Sequence, residues 1–482
     1  VKTAVLDIEV YSNYFLVKFK LTDSDQSKDF EMYDGKPFDC ASVAGIMRKY
    51  RTVGFNSRRF DLPLIWAACN GASVAELKGM ANDIIVRDKY FWGYEETDHI
   101  DIIEVLPGRA SLKTYGGRIH FPFLQDLPIP PDAEITAGDR ESLKSYCHND
   151  LLITQALFEK VAPQIALREE MGKQYGVDLR SKSDAQIAEA VIKKMLGVGK
   201  VNVRSAAFKY LPPTFISFMT EPLRKRLEQI STYEFPASDK LVMPEFMTER
   251  MRIGKSEYQM GIGGLHSCEN AQVSLDVSDY DVASYYPSII LNCGLYPKHL
   301  GEKFLEVYRQ IYERRLRAKA EGDKILADTY KIVLNGSFGK FGSKYSALYS
   351  PELLIQTTIT GQLALLMLIE MLEEMGNEVV SANTDGVVFR GDGAETVAWW
   401  EKVTGFSTER TDYKALYSRD VNNYFGFKEG GVKVKGIFVP GSLNKNPSNE
   451  IVTMAVIAFL KSGTPIEDTV RGCGDITKFL TL

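Results

Sequence analysis

The stretch Asp281-Val-Ala-Ser284-Tyr-Tyr286-Pro287-Ser288-Ile-Ile290 constrains this chain more than any other. Before it, Val273 to Val282 is rich in β-branched residues and alternates imperfectly, which predicts a strand that delivers Asp281 at its end. A small polar residue, two aromatics and a proline follow, so the chain turns from strand towards helix. A carboxylate placed there, beside an aromatic wall, suits a metal site that also cradles a flat substrate. Taken alone, the stretch also admits the weaker reading of a buried strand with an incidental aspartate.

Two further segments follow in order. About fifty residues on comes Lys331-Ile-Val-Leu-Asn335-Gly-Ser-Phe338-Gly339, in which Lys331 and Asn335 share one helical face. A lysine there supplies a point charge for phosphate oxygens, and an asparagine can reach a sugar or base. Then Val379-Val-Ser-Ala-Asn383-Thr384-Asp385-Gly386-Val-Val-Phe389 reads as a β-hairpin with a carboxylate at its tip.

In this order the three segments resemble motifs A, B and C of the family B DNA polymerases. The family patterns are Asp-x-x-Ser-Leu-Tyr-Pro-Ser, Lys-x-x-x-Asn-Ser-x-Tyr-Gly and Asp-Thr-Asp-Ser. Tyr285 stands for the usual leucine, Gly336 for serine, Phe338 for tyrosine and Asn383 for the first aspartate of motif C. The resemblance implies that Asp281, Asp385 and the Val282 carbonyl hold two Mg²⁺ (or Mn²⁺) ions. Tyr286 would then lie under the sugar as a steric gate, and Lys331 and Asn335 would meet the incoming nucleotide.

The N-terminal region carries a second set of carboxylates. Ala4-Val-Leu-Asp7-Ile-Glu9-Val is a short apolar strand whose two acids project from one sheet face. Like charges that close repel, and a divalent cation is the usual reason to tolerate them. Val53-Gly-Phe-Asn56-Ser-Arg-Arg-Phe60-Asp61 ends a strand and starts a helix, and Tyr146-Cys-His-Asn-Asp150 puts a phenol and a carboxylate on one helical face. Together they resemble the three motifs of proofreading 3′–5′ exonucleases with four acidic residues and a tyrosine. That resemblance implies two more divalent ions on Asp7, Glu9, Asp61 and Asp150. Tyr146 would orient the attacking water, and Asn56 and Phe60 would sit by a single-stranded 3′ end.

The remaining segments fill in a domain plan. Residues 1–165 would be the exonuclease domain and 166–255 a connector, in which Ser183-Asp-Ala-Gln186 caps one helix and Leu223 to Ile230 forms another. Residues 256–300 would open the palm, 301–345 form the fingers and 346–440 complete the palm; 441–482 would be a thumb, short enough to be incomplete. Gly263 and Gly264 resemble the family's Tyr-x-Gly-Gly segment, where bare backbone lets a nucleic-acid strand approach. Arg315 and Lys319, one helical turn apart, match the family's triphosphate-binding Arg-x-x-x-Lys pair. Asn422-Asn-Tyr424 and Lys433-Val-Lys435-Gly436 lie where the family grips primer-template, and Tyr424 and Lys435 are the residues carried over. Ser350-Pro351 starts a long helix to Met375 whose apolar stripe reads as palm core. The fold expected is thus α/β and α+β multidomain, a ribonuclease H-like exonuclease domain followed by a right-hand polymerase.

Hydrophobic content of 45% and charged content of 25% describe a globular protein, and no apolar run reads as a membrane span. A net charge of −5 neither advertises nor excludes nucleic acid, because two carboxylate clusters are acidic by necessity. Six cysteines without a C-x-x-C pair favour reduced thiols and a cytoplasmic setting, in a host cell if the source is a virus. Compactness points to a bacteriophage or mobile element. A valine at position 1 suggests a trimmed start, and the abrupt Lys-Phe-Leu-Thr-Leu482 suggests that the natural chain continues. The implied partners are primer-template DNA, a single-stranded DNA 3′ end and dNTPs, with a processivity factor or other replisome protein as a further one and no membrane. A terminal-protein primer is disfavoured, because neither gap between the polymerase motifs has room for the insertions of the protein-primed branch. One alternative stays open: only the exonuclease works, and the polymerase half is a degenerate DNA-binding platform.

Overall fold

In a computed structural model that describes residues 2–199, 203–204, 206–237 and 242–482, the chain forms two units. Unit 1 comprises Val1–Ser183, Pro440–Ala455 and Glu467–Leu482; unit 2 comprises Asp184–Val439 and Val456–Ile466. The residues expected as a thumb therefore divide between the two, as do those expected as a connector.

Unit 1 is built on β1 (Thr3–Val10), which pairs antiparallel with β2 (Phe15–Leu21), itself paired with β3 (Ser27–Met32). On its other side β1 runs parallel to β4 (Arg51–Gly54), which runs parallel to β5 (His99–Asp101). The order β3-β2-β1-β4-β5 is that of a ribonuclease H-like sheet. Its helices are α1 (Cys40–Lys49), α2 (Asp61–Cys69), α3 (Val74–Arg87), α4 (Leu112–Arg118), α5 (Asp139–Lys160) and α6 (Ala162–Tyr175). The period of two along β1 sorts its side chains. Leu6 and Ile8 join Leu62, Ile65 and Leu77 of α2 and α3 in one core, while Val5 joins Leu151, Ile153 and Leu157 of α5 in another. Asp7 and Glu9 share the parity of Val5. The late segments of the chain complete this unit: Arg118 donates to Asn446 Oδ1 (2.7 Å) and to the Leu443 carbonyl (2.9 Å), and Lys478 pairs with Glu450 at 2.9 Å.

Cys40 and Cys69 form a disulfide between α1 and α2, which corrects the expectation of reduced thiols for these two. Their separation of 29 residues carries no motif, and only the packing of the two helices brings them together.

Unit 2 opens with α7 (Asp184–Leu196), the ribbon β6 (Phe208–Lys209) with β7 (Glu234–Phe235), α8 (Glu221–Thr232) and α9 (Glu245–Thr248). Its main sheet holds β8 (Met251–Ile253), β9 (Ser256–Gly261), β10 (Gly264–Ser267), β11 (Gln272–Val282), β12 (Glu378–Asn383), β13 (Gly386–Arg390), β14 (Thr408–Asp420), β15 (Asn423–Lys428) and β16 (Gly431–Val434). All neighbours are antiparallel, in the order β16-β15-β14-β11-β13-β12-β10-β9-β8. After β11 come α10 (Tyr285–Asn292), the helical hairpin α11 (Lys303–Glu321) and α12 (Lys324–Phe341), then α13 (Pro351–Glu374) and α14 (Ala394–Thr404).

Local chemistry sets these boundaries. Gly322 takes the left-handed conformation that ends α11, and Asp323 caps α12 through the Leu326 amide at 2.9 Å. Ser350 caps α13, with proline in its first turn. Gly336 of α12 permits a close approach: a Cβ there would lie 2.6 Å from the Asp184 carbonyl oxygen of α7 and 3.0 Å from Ala188 Cβ. That contact accounts for glycine where the family pattern has serine.

Helix α13 is long and apolar enough to cross a membrane by length and composition, a feature the sequence reading missed because Gln356, Thr357, Thr358, Thr360 and Gln362 interrupt the run. It is the buried core helix of unit 2. Ile359, Leu363, Leu366 and Ile369 share one core with Tyr280, Val282, Val387 and Phe389 of the sheet.

Candidate active sites

In unit 2, alternation along β11 decides where the acids go. Tyr280 and Val282 face the core under α13, so Asp279 and Asp281 face the opposite side of the sheet. Asp281 stands opposite Gly386 on β13, and the Val282 amide donates to the Asp385 carbonyl oxygen at 2.6 Å. These pairings bring the ends of motifs A and C together on neighbouring strands. Burial first, then Asp281, raises the pKa of Asp385, while Lys435 and Lys433 oppose the rise.

Beside Asp385 opens a cavity of about 320 Å³ lined by Val282, Tyr286, Arg315, Lys331, Asn335 and Phe338, among others. Lys331, Asn335 and Phe338 lie at successive turns of one face of α12. The Tyr286 ring stacks on Phe338 with centroids 4.2 Å apart, and its hydroxyl donates to the Gly263 carbonyl at 2.8 Å. Tyr285 instead points into the core against Phe406, donating to the Gly361 carbonyl at 2.6 Å. Arg315 enters the cavity and bonds the Ser284 hydroxyl. Lys319 does not line it; its ammonium pairs with Glu409 at 3.0 Å.

Lys433 is the residue that sequence reasoning passed over here. Its ammonium lies 3.4 Å from Asp279 Oδ2 and 3.4 Å from Asp281 Oδ2. Asp279 is buried, accepts the Tyr413 hydroxyl at 3.2 Å, and is raised to about 6, mainly by burial and then by Asp281. The Lys435 ammonium lies 5.6 Å from the centre of the Tyr424 ring. The segment Lys433-Val-Lys435-Gly436 was expected at primer-template with Lys435 as the residue carried over, and nothing in its spacing places Lys433 on Asp281. Gly264 serves the protein rather than leaving open backbone, because a Cβ there would meet Thr384 at 2.8 Å; Gly263 has open space. Asn383 donates to Asn422 Oδ1 at 3.2 Å and accepts the Thr384 hydroxyl at 3.1 Å.

In unit 1, Asp7, Glu9 and Cys147 offer donor atoms that all lie within 4.8 Å of one another. The Cys147 thiol reaches Asp7 Oδ2 at 3.6 Å. Asp61 opens α2, and Tyr146 and Asp150 share a face of α5. Lys113 of α4 binds that face: its ammonium pairs with Asp150 and lies 4.5 Å from the centre of the Tyr146 ring. Burial raises Asp7 to about 7 and lifts Glu9 and Asp61 well above the usual carboxylate range, and each of those two is pushed further by Asp7. The Lys113 ammonium opposes the rise of Asp7 and Glu9.

Asn56, in the left-handed conformation, begins the turn that leads to Phe60 and Asp61. Asp101 fixes that turn by accepting the amides of Asn56 and Arg58, each at 2.9 Å. Lys113, Cys147 and Asp101 were not singled out from sequence. Cys147 had one readable signal, its position three residues before Asp150 on the same helical face.

In unit 1 the half-buried Asp7 and Glu9 crowd beside Cys147, a donor set that suits a divalent cation, whereas in unit 2 the Lys433 ammonium already stands at Asp281 Oδ2.

Unit 1 thus combines a ribonuclease H-like strand order with clustered acids, and unit 2 is an antiparallel sheet carrying acids on neighbouring strand ends and a cavity lined by Arg315 and Lys331. No protein-family model matches the chain. It is 25% identical over 143 residues to DNA polymerase 1 of Saccharolobus solfataricus, covering 27% of this chain and 16% of that protein. It is 28% identical over 129 residues to DNA polymerase II of Escherichia coli, covering 22% and 16%. The chain thus spans 16% of the length of each of these curated relatives. An uncharacterized mitochondrial protein of Marchantia polymorpha, ymf34, is 41% identical over 76 residues, covering 16% of this chain and 96% of that one. Among solved structures, the family B DNA polymerase of Pyrobaculum calidifontis aligns over 98% of this chain and 64% of its own, with 17% identity and a TM-score of 0.47. The sequence similarity of this chain to characterised proteins is thus to DNA polymerases, over about a quarter of its length.

Proposed function

We propose that the chain performs template-directed DNA synthesis from a primer 3′-hydroxyl with dNTPs, and 3′–5′ exonucleolytic proofreading in unit 1. The observation that carries the first part is the cavity in which Arg315, Lys331, Asn335 and Tyr286 meet beside Asp385. Arg315 and Lys331 offer charge to the triphosphate, and Asn335 offers an amide to the sugar or base. Tyr286, held by Phe338 and Gly263, closes the floor under the deoxyribose. Divalent cations bound by Asp281, Asp385 and the Val282 carbonyl would activate the 3′-hydroxyl and neutralise charge on the transferring phosphoryl. Lys319, set aside on Glu409 in this structure, is proposed to turn to the triphosphate when nucleotide enters. Gly263, Tyr424 and Lys435 are proposed to meet primer-template backbone, since sequence is copied by base pairing.

For proofreading, Asp7, Glu9, Asp61 and Asp150 would hold the metals, Tyr146 would orient water, and Asn56 and Phe60 would contact the frayed 3′ end. Lys113 keeps Tyr146 and Asp150 in place. The reading in which the polymerase half is inert rested on Asn383, whose amide is engaged by Asn422 and Thr384 while Asp385 keeps its own place. Primer extension with a 5′-labelled hairpin and Mg²⁺ tests both activities in one lane. Extension products with dNTPs and shortened products without them are expected; a hairpin left unextended with all four dNTPs refutes the synthetic reading.

A further inference from the structure

The loop between α3 and β5 carries two aromatic residues that the core does not use. The rings of Tyr90 and Trp92 are nearly parallel, 8° apart, with centroids separated by 5.7 Å. Stacked aromatics ordinarily bury their faces, yet Tyr90 is 54% and Trp92 80% exposed. Arg59 joins them, its guanidinium 4.6 Å from the centre of the Tyr90 ring and paired on one side with the Asp88 carboxylate. Arg59 belongs to the turn from Asn56 to Phe60, whose amides Asp101 holds. The stack is therefore anchored one residue from Phe60 and two from Asp61.

This combination selects a ligand. A flat exposed ring next to a cation fits a base with its phosphate, and a single strand presents both, whereas a duplex hides its base faces. Continuity with the Asn56–Phe60 turn gives such a strand a route to the carboxylates. We infer that Trp92 and Tyr90, with Arg59, form a stacking platform for one or two bases of a single DNA strand, upstream of the nucleotides at the acids. The inference rests on the exonuclease reading of unit 1 for its purpose, and on the exposed stack for its chemistry.

The test uses the full chain in EDTA with a twelve-residue oligothymidylate, reading tryptophan emission and, in parallel, anisotropy of a labelled strand. The chain has four tryptophans, so Trp92→Phe isolates the signal of one. Trp92→Phe is expected to bind within about twofold of wild type while losing most of the quench. Trp92→Ala is expected to weaken single-strand binding roughly fivefold to a hundredfold and leave blunt-duplex binding unchanged. Unchanged single-strand affinity in Trp92→Ala, full quench in Trp92→Phe, or an equal loss for duplex would each overturn the platform. Failure of the exonuclease reading would show elsewhere, as continued degradation in Mg²⁺ by the Asp7→Ala, Glu9→Ala variant, to which the EDTA titration is blind.

Discussion

The two carboxylate sites solve the same electrostatic problem in different ways. In unit 1 Asp61 and Asp150 are buried and Asp7 and Glu9 half-buried, Asp7 pushes the pKa of Glu9 and Asp61 upward, and Lys113 is the cation that opposes the rise of Asp7 and Glu9. In unit 2 Asp281 lies on a more open sheet face, and Lys433 spans Asp279 and Asp281. The first arrangement commits its tethered cation to Asp150 and leaves Asp7, Glu9 and Asp61 with little direct compensation; the second has Lys433 bridging both acids of its strand. Charge neutralisation should therefore matter to the folding of unit 1 far more than to that of unit 2.

The largest expected effect separates the sites outright. Asp281→Asn should lower nucleotide incorporation by about a thousandfold or more, ~4 kcal/mol of barrier, with degradation of a 3′ end nearly intact. Equal loss of both activities in a folded variant would mean that the two sites are not independent. Next, Tyr285 and Tyr286 contrast a core ring with a cavity ring. Tyr285→Ala should cost about 3–5 kcal/mol of stability, as for other large buried aromatics, measured by denaturant titration. Tyr286→Ala should cost less stability but raise ribonucleotide incorporation at least roughly tenfold, about 1.4 kcal/mol of discrimination. Single-turnover incorporation of matched ribo- and deoxynucleotides decides the point, and relaxed sugar choice in Tyr285→Ala alone would reverse the assignment.

A pH series sharpens the contrast in metal dependence. Asp7 is raised from 3.8 to about 7 in the folded state, so its protonated form favours folding. That stability is present below pH 4 and is lost as pH rises through about 7. In EDTA, wild type should therefore lose melting temperature between pH 5 and 8 by more than Asp7→Asn does, and Mn²⁺ should restore it. Parallel pH curves for the two proteins would show that Asp7 is not under this strain. The smallest effect concerns Asn383 and Asn422, which bond to each other. Asn383→Asp should change synthesis only a few-fold, and Asn422→Lys added to it should recover the loss. Additive effects in the double-mutant cycle would show that the pair is uncoupled.

Much of this architecture was legible because local sequence and tertiary role agree. β-Branched alternation ending in Asp281 and the Asn383-Thr384-Asp385-Gly386 hairpin signal each dictate an element locally, and β11 and the β12–β13 hairpin follow. The residues that were missed depend on long-range closure. Lys433 reaches Asp281 only because β14, β15 and β16 fold back across the sheet, and no spacing rule spans those 152 residues. Lys113 meets Asp150, and Cys40 meets Cys69, through helix packing alone. Helix α13 was legible as a core helix from its cap and apolar stripe, although the burial of its Gln and Thr side chains was not.

Gly336 carries a mechanical consequence. With the α12 backbone against the Asp184 carbonyl, and with Glu189 of α7 binding both Lys340 (3.3 Å) and the Ala347 amide (2.8 Å), the two helices have no slack to slide past one another. α7 is a splint on the helix that carries Lys331 and Asn335, so any displacement of α12 should carry α7 as a passenger. A spin label on each helix would keep a constant separation through that displacement. Refitting serine at position 336 would loosen the splint before it altered anything that faces the nucleotide.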